Sequence, residues 1–345
     1  MAKQIPLTID PNIVPNWGLW EAYREILQGA IDADVEYTVE YNAIFEKLTV
    51  SNPGQLTKES LLIGHSTKRG DSTKIGQHGE GYKLAAAVLL RSGKPFRIYN
   101  NKEIWDFNVK NNRKFNANLI HLTITSWFVE QTDTILWEIG NISQEEYRDL
   151  MAKVQDKGDI AVDLGYILLD QPGQIYSGDL FVCHKKELTF GYNFKPGVLE
   201  LQRDRNLISD FDIYWETSKM WLGQPDLVTH IRDGIADTKY ATAAEATANQ
   251  AYTLFKSEHG DNAVPCASEG DKITGADNII VPQVYRDTIT KSKEYRTNLA
   301  AKAEDLNLSP FEQLYQWYEG FKNEYGFTDK DFEVLLERAK QWYIK

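Results

Sequence analysis

The stretch Ile75-Gly76-Gln77-His78-Gly79-Glu80-Gly81-Tyr82-Lys83-Leu84-Ala85 constrains this chain more than any other. Three glycines lead straight into an apolar run of helical character. Glycine reaches φ > 0 and lets a ligand approach the backbone closely. A glycine turn feeding a helix presents unbonded N–H groups and the positive end of the helix dipole, a combination suited to phosphate. Gly-x-x-Gly-x-Gly is a weak signal alone, so its neighbours decide what it means.

Composition narrows the setting. A chain of 345 residues with 42% hydrophobic and 12% aromatic residues is expected to fold into about two globular domains. No apolar run reaches the length of a membrane span, and the Met-Ala-Lys-Gln-Ile-Pro start lacks the apolar core of a signal peptide. Cys183 and Cys266 match no metal-ligand spacing and fit a reducing, cytoplasmic compartment. The net charge of −12 argues against a DNA-coating role, so nucleic acid is not expected as the main partner. The basic residues Lys110, Arg113 and Lys114 read as a local basic patch or as a solvated loop.

Periodicity predicts an α+β chain. A helix over 17–33 gathers Trp20, Tyr23, Leu27, Ala30 and Ile31 on one side and Glu25, Gln28, Gly29 and Asp32 on the other. Gly29 costs about 1 kcal/mol against alanine within a helix. Two short strands or one interrupted strand are expected over 35–50, then a turn at 51–54, a short helix over 58–64 and a small, polar loop over 65–74. A helix over 82–91 precedes strands at 96–100, 103–109, 118–125 and 134–139. Ser143 caps a helix over 143–155. Further strands are expected at 161–169, 174–183, 187–194 and 198–202. Beyond 210 the pattern turns helical, with an Ala-rich helix over 235–257 and a small α/β insert at 260–285. Two closing helices start at Ser309-Pro310 and Thr328, with core stripes Phe311, Leu314, Tyr318, Phe321 and Phe332, Leu335, Ala339, Trp342.

The order Glu25-Ile-Leu-Gln28-Gly29-Ala-Ile-Asp32-Ala33, Leu62-Ile-Gly64-His-Ser66-Thr67-Lys68 and Ile75-Gly76-Gln-His-Gly79-Glu-Gly81-Tyr-Lys83-Leu-Ala85 resembles the GHKL ATPases over about residues 17–140. That superfamily includes the gyrase ATPases, the MutL mismatch-repair proteins, histidine kinases and the ninety-kilodalton heat-shock chaperones. The resemblance implies a Bergerat-type α/β sandwich, a mixed sheet covered by helices, over residues 1–160. A strand-rich, transducer-like segment (161–210) and a mainly helical domain (211–345) would follow. It implies ATP and Mg2+ as cofactors, with Glu25 as the general base that activates water. Gly79, Glu80 and Gly81 would offer backbone N–H groups to phosphates, Gly76 belonging to the same motif. Ser66-Thr67 leads into a lid whose Lys68 and Lys74 would reach the terminal phosphates or stay solvated. Lys83 would sit on the phosphate side or on the helix surface. Thr134 matches a threonine that bonds near adenine, with Asp133 replacing the family's glycine.

Two positions depart from the pattern. The family's Mg2+-binding asparagine is replaced by Gly29, so Gln28 or Asp32 would have to serve as metal ligand. The adenine-reading aspartate of an Asp-x-Gly-x-Gly box falls on Val50-Ser51-Asn52-Pro53-Gly54, where Ser51 or Asn52 takes its place without bringing a charge. The later segments Gln174–Val182, Phe190–Asn193 and Leu201–Asn206 resemble those of uncharacterised bacterial and phage GHKL-type proteins. They suggest Arg203 and Arg205 as residues reaching the γ-phosphate, or as a surface salt-bridge cluster.

Three functions are expected from this reading. The first is a slow ATP-hydrolysing conformational switch whose nucleotide-bound form pairs two protomers. The second is a nucleotide-binding module with little hydrolysis that acts on a protein partner through its C-terminal region. The third is a catalytically dead scaffold, as a phage-encoded decoy would be.

Overall fold

The structure, a computed structural model, describes residues 2–33, 35–62, 79–127, 133–155, 157–202, 209–241, 244–272, 276–305, 310–326 and 328–343. The chain divides into two compact units: residues 1–185 with 191–208, and residues 186–190 with 209–345.

The first unit runs β1 (Lys3–Pro6), α1 (Leu19–Ile31), β2 (Thr38–Asn42), β3 (Lys47–Pro53), α2 (Gly81–Arg91), β4 (Phe96–Asn100), β5 (Glu103–Asn112), β6 (Ala117–Ser126), β7 (Thr134–Ile139), α3 (Gln144–Met151), β8 (Ile160–Val162), β9 (Gly165–Leu168), β10 (Gln174–Ser177), β11 (Leu180–His184) and β12 (Gly191–Phe194). The first seven strands form one sheet in the order β1-β6-β5-β4-β7-β3-β2. Every pairing in it is antiparallel. The α+β class follows directly, and the parallel pairing expected of a mixed sheet occurs in the second sheet, between β10 and β12.

Strand alternation explains the layering. Leu48 and Val50, Phe96 and Ile98, Trp105 and Phe107, Leu122 and Ile124, and Ile135, Trp137 and Ile139 point to one face and are buried under α1 and α2. The opposite face carries charge: Arg97 meets Asp106 at 2.9 Å and Lys47 meets Glu138 at 2.9 Å. A one-residue slip would bury that ladder, so register is strongly fixed. Pro6, which cannot donate to a ladder, sits on the edge strand β1.

The α1 helix fits over the sheet through Trp20, Ala22, Tyr23, Ile26, Leu27 and Ala30, all buried. Its start is fixed twice. The Glu21 carboxylate accepts from the Gly18 N–H at 2.8 Å. From the end of α2, the Arg91 guanidinium donates to the carbonyls of Pro11, Val14 and Trp17 at 2.9–3.0 Å. Ser143 caps α3 and Glu146 reaches back to the Ser143 N–H, completing a capping box; the helix stops at Met151 rather than 155.

The later strands differ from expectation. Residues 161–169 and 174–183 are not single strands but hairpins. In the second, Gly178 and Asp179 both take positive φ (55° and 66°), the signature of a tight hairpin turn. Of 187–194 only 191–194 is strand, because the N–H groups of Thr189 and Phe190 donate instead to the Asp237 carboxylate. Residues 198–202 form no strand among the described residues, only a bridge position at Leu201. One strand the periodicity did not suggest, β1, pairs with β6.

The second unit holds α4 (Asp210–Met220), α5 (Leu227–Asp233), α6 (Glu245–His259), β13 (Ala263–Cys266), β14 (Asp277–Ile280), α7 (Gln283–Ile289), α8 (Lys293–Asp305), α9 (Pro310–Tyr325) and α10 (Asp329–Tyr343). The expected 260–285 insert contributes the parallel pair β13–β14. The Ala-rich helix begins at Glu245, ten residues later than expected. Asp237 is fully buried, and the His230 ring lies between Phe190 (5.2 Å) and Trp221 (4.3 Å), where burial holds its pKa below the usual value. Pro310 opens α9, and Thr328 caps α10 in exchange with Asp331. Of the stripes, Tyr318 and Phe332 stack at 4.3 Å and are buried, whereas Leu335 is exposed. Phe311, Phe321, Ala339 and Trp342 lie outside the described side chains. Among the described residues, no helix is long and apolar enough to cross a membrane.

Candidate functional site

Gly79 holds φ +66°, a left-handed conformation that glycine takes without steric cost, and Glu80 follows as N-cap of α2. Lys83 N–H and Leu84 N–H both bond the Glu80 carbonyl. The Glu80 side chain makes no cap hydrogen bond to the helix. An α-helix leaves its first N–H groups without intrahelical partners, at the positive pole of its dipole.

Glu25 stands against this helix end. A β-carbon built on Gly81 would lie 2.6 Å from Glu25 Oε2, so the carboxylate packs directly on the first residue of α2. The other oxygen, Oε1, accepts from Arg24 Nη2 at 3.2 Å, and both side chains are at least nine-tenths buried. Arg24 lies in turn over the Trp17 ring, 5.5 Å from its centroid. Two separated elements, α1 and α2, thus bring a buried carboxylate to the N-terminus of α2.

The rest of the polar side of α1 is interior as well. Gln28 is 7% exposed and Asp32 4%, where a surface helix would leave them solvated. Gln28 Oε1 is buried and has no hydrogen-bond partner among the described residues, an energetically costly state for a carbonyl oxygen unless a ligand, ion or water meets it. Gly29 is exposed, and no described atom lies within 4 Å of where its β-carbon would stand. Packing against the described residues therefore does not require glycine there. No cluster of three or more His, Cys, Asp or Glu side chains is placed to hold a metal among the described residues. A divalent ion here would depend on Gln28, Asp32 and oxygens of its own ligand.

Strand parity separates Ser51 from Asn52. Ser51 faces the outer side, where its hydroxyl meets that of Thr38 at 2.8 Å; Asn52 is buried on the helix-covered side. Asn52, Ile135 and Asn100 stand in register across β3, β7 and β4, forming a row at one end of the sheet. The Asn100 side chain accepts from Leu56 N–H and donates to Leu56 O, both at 2.9 Å, which fixes the loop after Gly54. Gly54 N–H bonds Asp133 O at 2.7 Å. Thr134, the next residue, is exposed and opposite Pro53, so it stays on the rim of this row.

Lys83 is not on the helix surface. It is fully buried, and its ammonium donates to Ser60 O (2.7 Å) and Leu62 O (2.6 Å), with burial lowering its pKa to about 8. Tyr82 OH reaches Ser60 O at 2.9 Å, and burial pushes its own pKa up to about 12. The first turn of α2 thereby grips the chain just before residue 63. Ser66, Thr67, Lys68, Lys74, Gly76, Arg203 and Arg205 lie outside the described residues.

Sequence reasoning missed Arg24, Asn100 and Arg91. Arg24 adjoins Glu25 in sequence but is nearly 100° away around the helix, so only its bent-back side chain reveals the pair. Asn100 closes the expected strand 96–100, where nothing in the sequence marks its side chain as holding a loop. Compared with known proteins, the sequence matches no family model and no curated protein.

Proposed function

We propose that the first unit binds a purine nucleotide, ATP above all, with its phosphates at the N-terminus of α2, and hydrolyses it slowly as a conformational switch. The observation that carries this reading is the Glu25 carboxylate packed on Gly81, the first residue of α2. There, Oε2 is positioned to take a proton from a water attacking the terminal phosphate, while the helix terminus stabilises the charge that develops on the phosphate. Asn52 is the adenine-side acceptor in this reading, in the row with Ile135 and Asn100. Gln28 and Asp32 are the chain's candidate ligands for Mg2+, which would neutralise phosphate charge. The grip of Lys83 and Tyr82 on residues 60–62 would couple nucleotide binding to the following segment and to pairing of two protomers. The setting is the cytoplasm, where Cys183 and Cys266 remain free thiols.

A second reading is favoured by Gly29. With no side-chain oxygen at that position, metal affinity and turnover can be low enough that the protein works as a nucleotide-dependent binding module, acting on a protein partner through its second unit. Calorimetry with ATP and ADP, with and without Mg2+, alongside phosphate release from wild type and Glu25→Gln, separates the two. Binding with turnover that depends on Glu25 supports the switch. Binding without turnover leaves the module, and absence of binding to any purine nucleotide sinks both.

A further inference from the structure

The β5–β6 hairpin ends in an arm that the nucleotide site does not use. Leu7 N–H bonds Ile120 O, and Ile120 N–H bonds Ile9 O. Beyond it the pairs Lys110↔Leu119, with Leu119 still buried, Asn111↔Asn118 and Asn112↔Ala117 run on into the turn Arg113–Asn116. The turn is set by its own bonds: Asn112 Oδ1 accepts from Lys114 N–H at 3.0 Å, and Asn116 takes φ +50°. Phe115 is presented at the tip, 62% exposed.

The chemistry of this arm runs against that of the whole chain. The protein carries 50 acidic residues, yet none falls between Asp106 and Glu130. Lys110, Arg113 and Lys114 form no ion pair among the described residues, while Lys47, Lys58, Lys94 and Arg97 of the same unit are each matched to a carboxylate. Asn111, Asn116 and Asn118 are exposed beside them.

We propose that this arm is a contact for single-stranded nucleic acid. Lys110, Arg113 and Lys114 neutralise phosphates, Phe115 offers a ring on which an unstacked base can stack, and the asparagines meet base edges. A lone phenylalanine with Val109 gives too little apolar area to hold a lipid surface, whereas base stacking needs only one ring. The inference does not rest on the nucleotide reading.

Fluorescence anisotropy of the full chain with a labelled single-stranded oligonucleotide tests it, beside the same sequence as a duplex and vesicles containing anionic lipid. Wild type should bind the single strand best. Phe115→Ala should weaken binding about 5- to 100-fold. Arg113→Glu with Lys114→Glu should abolish binding at physiological salt, and Arg113→Gln with Lys114→Gln should lower the salt slope by about 1.4. All these substitutions lie in an exposed turn, so melting temperatures should match wild type and separate lost contact from lost fold. No binding at low salt, binding indifferent to these substitutions, or preference for duplex or vesicles would each overturn the proposal.

Discussion

Replacing Gly81 with alanine separates the placement of a carboxylate from the folding of the helix that places it. The new β-carbon would stand 2.6 Å from Glu25 Oε2, 3.4 Å from Glu25 Cβ and 3.6 Å from Glu25 Cδ. Only the first distance is prohibitive, and it involves the far end of a side chain, so the carboxylate swings while the backbone stays. Restoring ordinary contact moves Oε2 by roughly 0.7 Å. Glu25 is nine-tenths buried and bonded to Arg24, so little room exists for that motion without loosening the pair. General-base catalysis is worth about 10²- to 10⁴-fold, and a misplacement of about 1 Å loses about 10²-fold. The expected fall in kcat is therefore roughly 10- to 100-fold. Alanine also gains about 0.5–1 kcal/mol of backbone entropy over glycine in a helix, which offsets the strain, so stability should hold or rise. Steady-state phosphate release at saturating ATP, calorimetric affinity and a thermal melt, each beside Glu25→Gln, read these effects separately. A Gly81→Ala enzyme with wild-type kcat would refute the reasoning. So would a variant that loses affinity yet keeps kcat, since Gly81 would then serve phosphate approach and not the carboxylate.

Gly29→Asn has open space for its side chain and should raise Mg2+-dependent nucleotide affinity without loss of stability; unchanged metal dependence counts against a metal at α1. Asn100→Ala breaks both bonds to Leu56 and should cost about 1–3 kcal/mol in urea unfolding, with weaker nucleotide binding. Lys83 is held at about 8, below its usual 10.5, so the native state sheds this proton before the unfolded chain does. Its contribution to stability should therefore grow from about pH 8 to 10, and Lys83→Met should flatten that part of the stability–pH curve relative to wild type. A Lys83→Met curve that parallels wild type there would contradict the burial of the ammonium.

The sheet was legible wherever burial on one face enforces a period of two. Phe96-x-Ile98 and Ile135-x-Trp137-x-Ile139 announce both strand and inward face, and β4 and β7 appear within the expected limits. Capping chemistry was equally local, so Ser143, Pro310 and Thr328 mark helix starts correctly. The Gly178-Asp179 pair between Ile175-Tyr176 and Leu180–Val182 is itself a two-residue hairpin signal, so this turn was legible in the sequence as well. The choice between Ser51 and Asn52 depends on which face of β3 the helices cover, a fact of pairing rather than of spelling. The burial of Lys83 was hidden too: a lysine two residues into a helix is ordinarily solvated, and only the carbonyls of residues 60 and 62 make its position tolerable.

Strand β1 sets a timetable. Lys3 pairs with Ile124 and Pro6 with His121, so β1 leaves the ribosome with no partner until well over a hundred residues later. At about 5–20 residues per second that wait is on the order of ten seconds. β3 likewise waits for β7, pairing Leu48 with Ile139. During that interval the apolar side of the β2–β3 hairpin has neither its sheet neighbour nor the complete core beneath it. Contacts this distant in sequence also slow closure of the sheet once synthesis is complete. Such a nascent chain is vulnerable to pairing with a second copy of itself.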